Sequence, residues 1–256
     1  MAHLLHLDKV QLALGTQVFG PFSFAVQAGE RVAVLGASGA GKSTLLKLAS
    51  GELRPKQGHV NFAACALSNW SLPALSQRRA FFAQSYPIAF NLSVKLVVAL
   101  GRVMRSPDPH LQHVVAQALM LAHAGHLTDK LFNTLSGGEQ ARVHLARIFA
   151  QLWDVENGLI LADEPITALD LGLQQALLDH LHAFAETRGH ALVSVLHDVN
   201  HALQRFERLL LVREHRLWLD CPTKDLDVTC LETLYGVQID CFVNSAGKRY
   251  IAARGR

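Results

Sequence analysis

The stretch Gly36-Ala37-Ser38-Gly39-Ala40-Gly41-Lys42-Ser43-Thr44 constrains this chain more than any other, because it fits G-x-x-x-x-G-K-[ST], the spacing of a phosphate-cradling loop. It follows Arg31-Val32-Ala33-Val34-Leu35, a short apolar run that reads as a buried strand, and leads into Leu45-Leu46-Lys47-Leu48, which reads as helix. Strand, loop and helix in that order are the context the motif needs, and they weigh against a merely structural Gly-rich turn. Glycines let backbone N–H groups converge on an anion without Cβ clashes. The helix start at Gly41-Lys42 adds unsatisfied donors and a partial positive charge. Lys42 is expected to reach the β- and γ-phosphates of a nucleotide, and the Ser43 hydroxyl to ligate Mg²⁺.

Composition narrows what can surround this loop. The 256 residues are 50% hydrophobic, ample for one α/β core or a core with a subdomain. A net charge of +3, with Arg78-Arg79 the only adjacent basic pair before the tail, does not argue for nucleic acid. Cys65, Cys221, Cys230 and Cys241 show no C-x-x-C spacing, and Met1-Ala2-His3-Leu4 lacks the charged-then-apolar shape of a signal peptide. A reducing cytoplasm is therefore expected. The uncharged stretch between Lys56 and Arg78 is interrupted by His59, Asn61, Ser68, Asn69 and Pro73, so no span reads as a transmembrane helix. Any link to a membrane has to come through a partner. Histidines lie close together at His110 and His113, His123 and His126, and His180 and His182. No carboxylate or cysteine completes a metal set around them, and solvent-facing helix positions are the simpler expectation.

Along the chain, apolar positions alternate at Leu5, Leu7, Val10, Leu12 and again at Phe22, Phe24, Val26, as in strands. Gly58 to Phe62 and Ala80 to Ser85 read as two more. From Val94 to about Ala150 the period becomes helical, with a break at Ser106-Pro107-Asp108-Pro109, which suggests a helical subdomain inserted in the α/β core. Ser136-Gly137-Gly138-Glu139 before a helix is either an ordinary cap or a second anion site. Leu159-Ile160-Leu161-Ala162-Asp163-Glu164 is an apolar strand ending in two carboxylates, placed where an open parallel sheet binds its ligand. There Asp163 would hold Mg²⁺ and Glu164 would accept a proton from an attacking water. Leu192 to Asp198 repeats the design with His197 at the strand end.

Together these segments resemble the ATP-binding subunit of an ATP-binding-cassette (ABC) transporter, over essentially the whole chain. On that resemblance, Gly36 to Thr44 is the Walker A loop and Gln84 stands at the Q-loop position. Ser136, Gly137, Gly138 and Glu139 lie in the signature motif, Leu159 to Glu164 is Walker B, Ala168-Leu169-Asp170 is the D-loop, and His197 is the switch histidine. The implied fold is α/β: a P-loop NTPase core over 1–84 and 151–256, a helical subdomain over 85–150 and an N-terminal antiparallel β subdomain, all in one ABC ATPase domain. The implied cofactors are ATP and Mg²⁺, the metal held by Ser43, Gln84 and Asp163. Since the signature motif of one copy closes over the P-loop of another, the resemblance implies a head-to-tail homodimer with two ATP. It also implies two multi-span permease subunits, a periplasmic binding protein reached through them, and a place on the cytoplasmic face of a bacterial inner membrane.

Within the family, Val97-Val98-Ala99-Leu100-Gly101-Arg102 and Leu234-Tyr235-Gly236-Val237 are similar to importers of iron chelates, cobalamin and heme. The link Ala150 to Gly158 most resembles the heme-import branch, so heme is the expected cargo, with ferric siderophore or cobalamin as alternatives. An exporter subunit shares the motifs. A soluble cassette ATPase is the rival of another class; it usually brings tandem cassettes, coiled-coil insertions or a metal hook, none of which stands in this sequence. One departure is notable. The family carries an aromatic that stacks on adenine near positions 12 to 15, whereas here stand Leu12, Ala13, Leu14 and Gly15, with Phe19 the nearest ring. Base selectivity is therefore expected to be weak.

Overall fold

The computed structural model describes residues 3–83, 90–165, 169–245 and 247–254, so Gln84 and Ala168 lie outside the described residues. The chain forms two compact units, Met1–Asn69 with Val193–Arg256, and Trp70–Leu192.

The first unit opens with β1 (Leu5–Leu14), β2 (Gln17–Val26), β3 (Arg31–Leu35), α1 (Lys42–Ser50), β4 (Gln57–Phe62) and the short β5 (Cys65–Ala66). The second carries α2 (Leu72–Ser76), β6 (Arg79–Phe82), α3 (Val94–Ala99), α4 (Leu111–Leu121), α5 (Gly137–Leu152), β7 (Leu159–Asp163) and α6 (Leu171–Thr187). The division falls within β8 (Ala191–Val195). The first unit then resumes with α7 (Val199–Arg205), β9 (Arg208–Arg213), β10 (Arg216–Pro222), α8 (Val228–Tyr235), β11 (Ile239–Val243) and β12 (Arg249–Ala253).

In the first unit β2, β1, β4 and β5 form an antiparallel sheet in that order. Its pattern is visible in the residues: Leu5 and Leu7 are buried at spacing two, then Val10 and Leu12, so the phase slips by one between Leu7 and Val10. The register shifts there, and Lys9 adopts φ 48, the extra residue of a bulge. Gly58 faces this bulge, and a Cβ on it would stand 2.4 Å from the Asp8 and Lys9 carbonyl oxygens, which is why no larger residue fits. Beside this sheet's strands in sequence, β3 pairs in parallel with β9, and the Leu196 N–H donates to the Val34 carbonyl at 3.3 Å, which sets the end of β8 beside β3. Apart from Arg31, β3 is fully buried, as an interior parallel strand should be. β9 and β10 are joined by Glu214-His215 alone, with φ 49 and φ 65. Two successive positive φ values are the type I′ hairpin turn, normally given to Asn and Gly.

In the second unit β6 pairs in parallel with β7, and the Ala191 N–H donates to the Gly158 carbonyl at 2.9 Å. The helical stretch is broken as its sequence suggests. A 3-10 segment Leu100–Arg105 follows α3, and the helix α4 begins only after Ser106-Pro107-Asp108-Pro109. Val97 and Val98 of α3, Val115 and Leu119 of α4, and Val143 and Phe149 of α5 are buried together in this unit's core. An ion pair sits inside it. Arg102, 2% exposed at its side chain, bonds Asp108, reaches Asp154 at 2.8 Å and donates to the Ala150 carbonyl at 3.1 Å. Its guanidinium holds the Asp108 carboxyl below the usual carboxylate range.

The link after α5 is tied down rather than free. The Arg188 guanidinium lies 5.0 Å from the Trp153 ring centroid and 4.2 Å from that of Phe184, and its Nε donates to the Trp153 carbonyl at 3.0 Å. Burial, with Arg188 nearby, pushes His190 down to about 4, so at neutral pH its uncharged Nδ1 accepts the Gly158 N–H at 2.9 Å.

Candidate functional site

In the first unit, the turn after β3 presents Ala37, Ser38 and Gly39 to solvent while Lys42 is 6% exposed. Lys42 Nζ donates to the carbonyls of Gly36 at 2.8 Å and Ala37 at 2.9 Å, curling back over its own loop. This holds the ammonium at the mouth of the loop before any anion arrives. Gly36 is pressed against β9, where a Cβ would lie 2.3 Å from the Val212 carbonyl oxygen. Gly41, at φ 103, caps α1, and a Cβ there would lie 2.9 Å from Phe19 Cδ1. Ser43 and Thr44 follow in the first helical turn, half-buried. No acidic side chain occupies that turn, so the positive end of the helix is left for an anion.

His197 stands exposed at the end of the β8 segment, and Asp198 beside it caps α7 by accepting the Asn200 N–H at 2.7 Å. Asn200 in turn bonds Ile251 of β12 twice, at 3.1 and 2.8 Å, which fixes α7 to the C-terminal hairpin. Tyr235, whose hydroxyl burial pushes up to about 12, shares a 270 Å³ cavity with His197 and Asn200.

In the second unit, β7 is buried throughout and ends at Asp163, 2% exposed. Glu164 follows half-buried with φ 53, a left-handed conformation that a non-glycine residue adopts at a cost of about 1–2 kcal/mol. The chain turns sharply at that point and so carries the second carboxylate out of the strand line. Asp170 is the N-cap of α6, accepting the Leu173 N–H at 3.0 Å.

Ser136 caps α5. Its Oγ accepts the Glu139 N–H at 3.3 Å, while Glu139 Oε2 accepts the Ser136 N–H at 2.8 Å and the hydroxyl at 2.9 Å, a full capping box. Those bonds from Ser136 hold the Glu139 carboxyl below its ordinary range. Ser136 and Gly137 nevertheless remain exposed, at the open N-terminus of a 16-residue helix.

Two features have no signal in the spacing of residues along the chain. One is the edge contact between Phe19 and His215, with ring centroids 4.8 Å apart, beside Gly41. The other is the stacking of His123 on His180, 5.0 Å apart and 10° from parallel, which joins two of the histidine pairs across 57 residues of sequence (180 − 123). Spacing along the chain carries no trace of either.

Comparison with known proteins decides the family. The family model described as ABC transporter matches residues 19–167, more than half of the chain and spanning the P-loop, the signature segment and the strand-end carboxylates. The chain belongs to the ABC transporter family. A hemin import ATP-binding protein of Pseudomonas aeruginosa is 40% identical over 240 residues, covering 92% of this ABC chain and 94% of that protein. Another, of Methylobacillus flagellatus, is 38% identical over 220 residues, 84% of this chain and 82% of that one. Among solved structures, a chain of a metal-chelate type ABC transporter in an inward-facing conformation has TM-score 0.83 and 26% identity, covering 100% of this chain and 99% of that one. An ATP-binding cassette solved as a dimer in a post-hydrolysis state with ADP and Pi shares the fold, with TM-score 0.76 at 24% identity over 87% of this ABC chain and 100% of that one. The α/β ABC ATPase fold expected from the sequence, with its antiparallel N-terminal sheet and its helical stretch, is the fold observed.

Proposed function

We propose that this chain is the ATP-hydrolysing subunit of a membrane importer and that its cargo is heme. The observation that carries the reading is the near full-length similarity to hemin import ATP-binding proteins. A ferric siderophore or cobalamin is the second reading, favoured by the metal-chelate type neighbour. In the link whose sequence resembles the heme-import branch, the half-buried Trp153 ring packs against Phe184 and the Arg188 guanidinium.

Lys42 exchanges two loop carbonyls for the β- and γ-phosphates, a charge-assisted contact stronger than the ones it gives up. The Ser43 hydroxyl, the Gln84 carbonyl and the Asp163 carboxylate are the hard oxygen donors that Mg²⁺ prefers, and the ion would neutralise phosphate charge when bound. The loop residues Gly36 to Thr44 wrap the phosphates through backbone N–H groups, Glu164 takes the proton of the attacking water, and His197 orients the γ-phosphate. The strained backbone at Glu164 supports a functional role, since such strain persists where the surroundings impose it.

The exposed Ser136 and Gly137, with Gly138 and Glu139 behind them, would close over the ATP of a second copy, and Asp170 would lie near the same junction. The working unit is then a head-to-tail homodimer with two ATP. Replacing Ser136 by Arg is expected to lower turnover at least tenfold while each P-loop still binds ATP, as read by hydrolysis and by calorimetry on the purified protein. Ordinary turnover in this variant would contradict the shared site.

Among the described residues no helix is long and apolar enough to cross a membrane. The permease contact falls to a 450 Å³ groove in the second unit, lined by Leu72, Leu100, Val103, Met104, Arg147 and Gln151. Leu72, Val103 and Met104 are 78%, 53% and 48% exposed, which suits the apolar face of a short permease helix. Two permease subunits and a periplasmic binding protein complete the importer at the cytoplasmic face of a bacterial inner membrane.

The test reconstitutes the chain with its co-purifying permease in lipid vesicles and follows hydrolysis and uptake with the binding protein loaded with heme, ferric siderophore or cobalamin. Stimulation by heme alone is expected. A response only to another chelate would overturn the cargo and keep the importer. Absence of any permease would favour a soluble ATPase.

A further inference from the structure

The segment Leu234-Tyr235-Gly236-Val237 places a tyrosine at the end of α8, and the fold carries its hydroxyl to the start of the phosphate loop. The root of this side chain is fixed on both sides. Gly236, at φ 68, ends the helix with its N–H on the Glu232 carbonyl at 2.8 Å, and the Glu232 carboxylate accepts the Ile239 N–H at 2.8 Å. The half-buried Tyr235 lines the 270 Å³ cavity it shares with His197, while the hydroxyl at its tip is sealed from solvent and makes no hydrogen bond to a described residue. The backbone N–H of Gly36 faces that oxygen and favours its ionised form against the effect of burial, yet stops short of hydrogen-bond geometry. A buried hydroxyl without a partner destabilises the fold that holds it, and such groups are few in native proteins. Gly36 is also the residue whose carbonyl accepts from Lys42 Nζ at 2.8 Å. Release of Lys42 to a phosphate therefore removes one of the bonds that hold Gly36 short of the tyrosine.

We propose that Tyr235 is a positioning residue for the phosphate loop: its hydroxyl oxygen accepts the Gly36 N–H only in the nucleotide-bound protein and holds the start of the loop in its bound shape. The inference rests on the ATP-binding reading and adds to it a residue 199 positions beyond the first glycine of the loop (235 − 36). A bond made in the bound state and absent from the free state adds its full strength to affinity.

Tyr235→Phe, which removes the hydroxyl and keeps the ring, tests this in the purified full chain. Without nucleotide its Tm is expected to equal or exceed that of the unaltered protein, because the group lost is an unpartnered buried hydroxyl. With Mg²⁺ present, calorimetry is expected to show ATP and inorganic tripolyphosphate each bound about fivefold more weakly, the worth of one hydrogen bond, while kcat stays within about twofold. Amide NMR is expected to show the Gly36 N–H moving downfield when ATP is added to the unaltered protein and staying in place in the variant. A lower Tm without nucleotide would mean that the hydroxyl already has a partner, and would overturn the proposal. A loss of kcat at unchanged affinity would join Tyr235 to His197 rather than to the loop, and a Gly36 signal that moves alike in both proteins would deny the bond; either result overturns it. Failure of the unaltered protein to bind ATP or tripolyphosphate would instead overturn the nucleotide site itself.

Discussion

Glu164→Gln leaves ATP affinity within about threefold of the unaltered chain and lowers turnover by at least a hundredfold. The amide matches the carboxylate in size but cannot accept a proton, so binding groups stay in place while the base is lost. General-base catalysis contributes roughly 10²–10⁴ in rate, and a hundredfold loss corresponds to about 2.7 kcal/mol of barrier. The backbone at this residue sits at φ 53 whatever the side chain, so the substitution adds no new strain. Single-turnover hydrolysis beside equilibrium ATP binding separates the two effects. Turnover within threefold of the unaltered chain would remove Glu164 from the role of base.

The second large effect is on stability. Arg102→Met removes the cation that pairs with Asp108 and Asp154 and leaves the Asp108 carboxylate, 7% exposed at its side chain, inside the helical part of the second unit. Breaking a buried pair from one side costs about 3–5 kcal/mol, and the lower end is expected because Asp154 is 44% exposed and water screens it. A loss near 3 kcal/mol lowers Tm by roughly 6–12 °C for a chain of this size. The pair Arg102→Met with Asp108→Asn recovers part of the loss, since no unpaired buried charge remains. Thermal unfolding of the three proteins measures it. A drop below 2 °C in the single variant would show that the Asp108 carboxylate finds water or protonates at little cost.

How much of this was legible beforehand depends on the range of the interaction. The P-loop, the strand-end carboxylates Asp163 and Glu164 and the cap at Ser136 are local: each is set by neighbours within four residues, and spacing alone exposes them. Even the bulge in β1 shows in the slipped phase between Leu7 and Val10. The break at Ser106 to Pro109 was legible for the same reason, as proline restricts its own φ and the residue before it. The cargo was approached only through resemblance, because nothing in a nucleotide-binding chain has to touch the transported molecule.

By itself, the sequence determined the order of strand, loop and helix, the residue types offered to phosphate, metal and water, and the family to which they belong. Only the tertiary structure decided which distant residues meet. Phe19 and His215 are 196 positions apart (215 − 19) and come together beside Gly41 because β2 and the β9–β10 turn share a backbone hydrogen bond. Arg102 stands two residues after the apolar run Val97 to Leu100, and only the folded helices bury it and give it Asp108 and Asp154. Trp153 lies in the link that resembles the heme-import branch, and only the fold shows that it packs against Arg188 and Phe184. Short-range geometry is written in spacing, whereas a contact between remote segments is selected by the burial of the whole core and leaves no period in the chain.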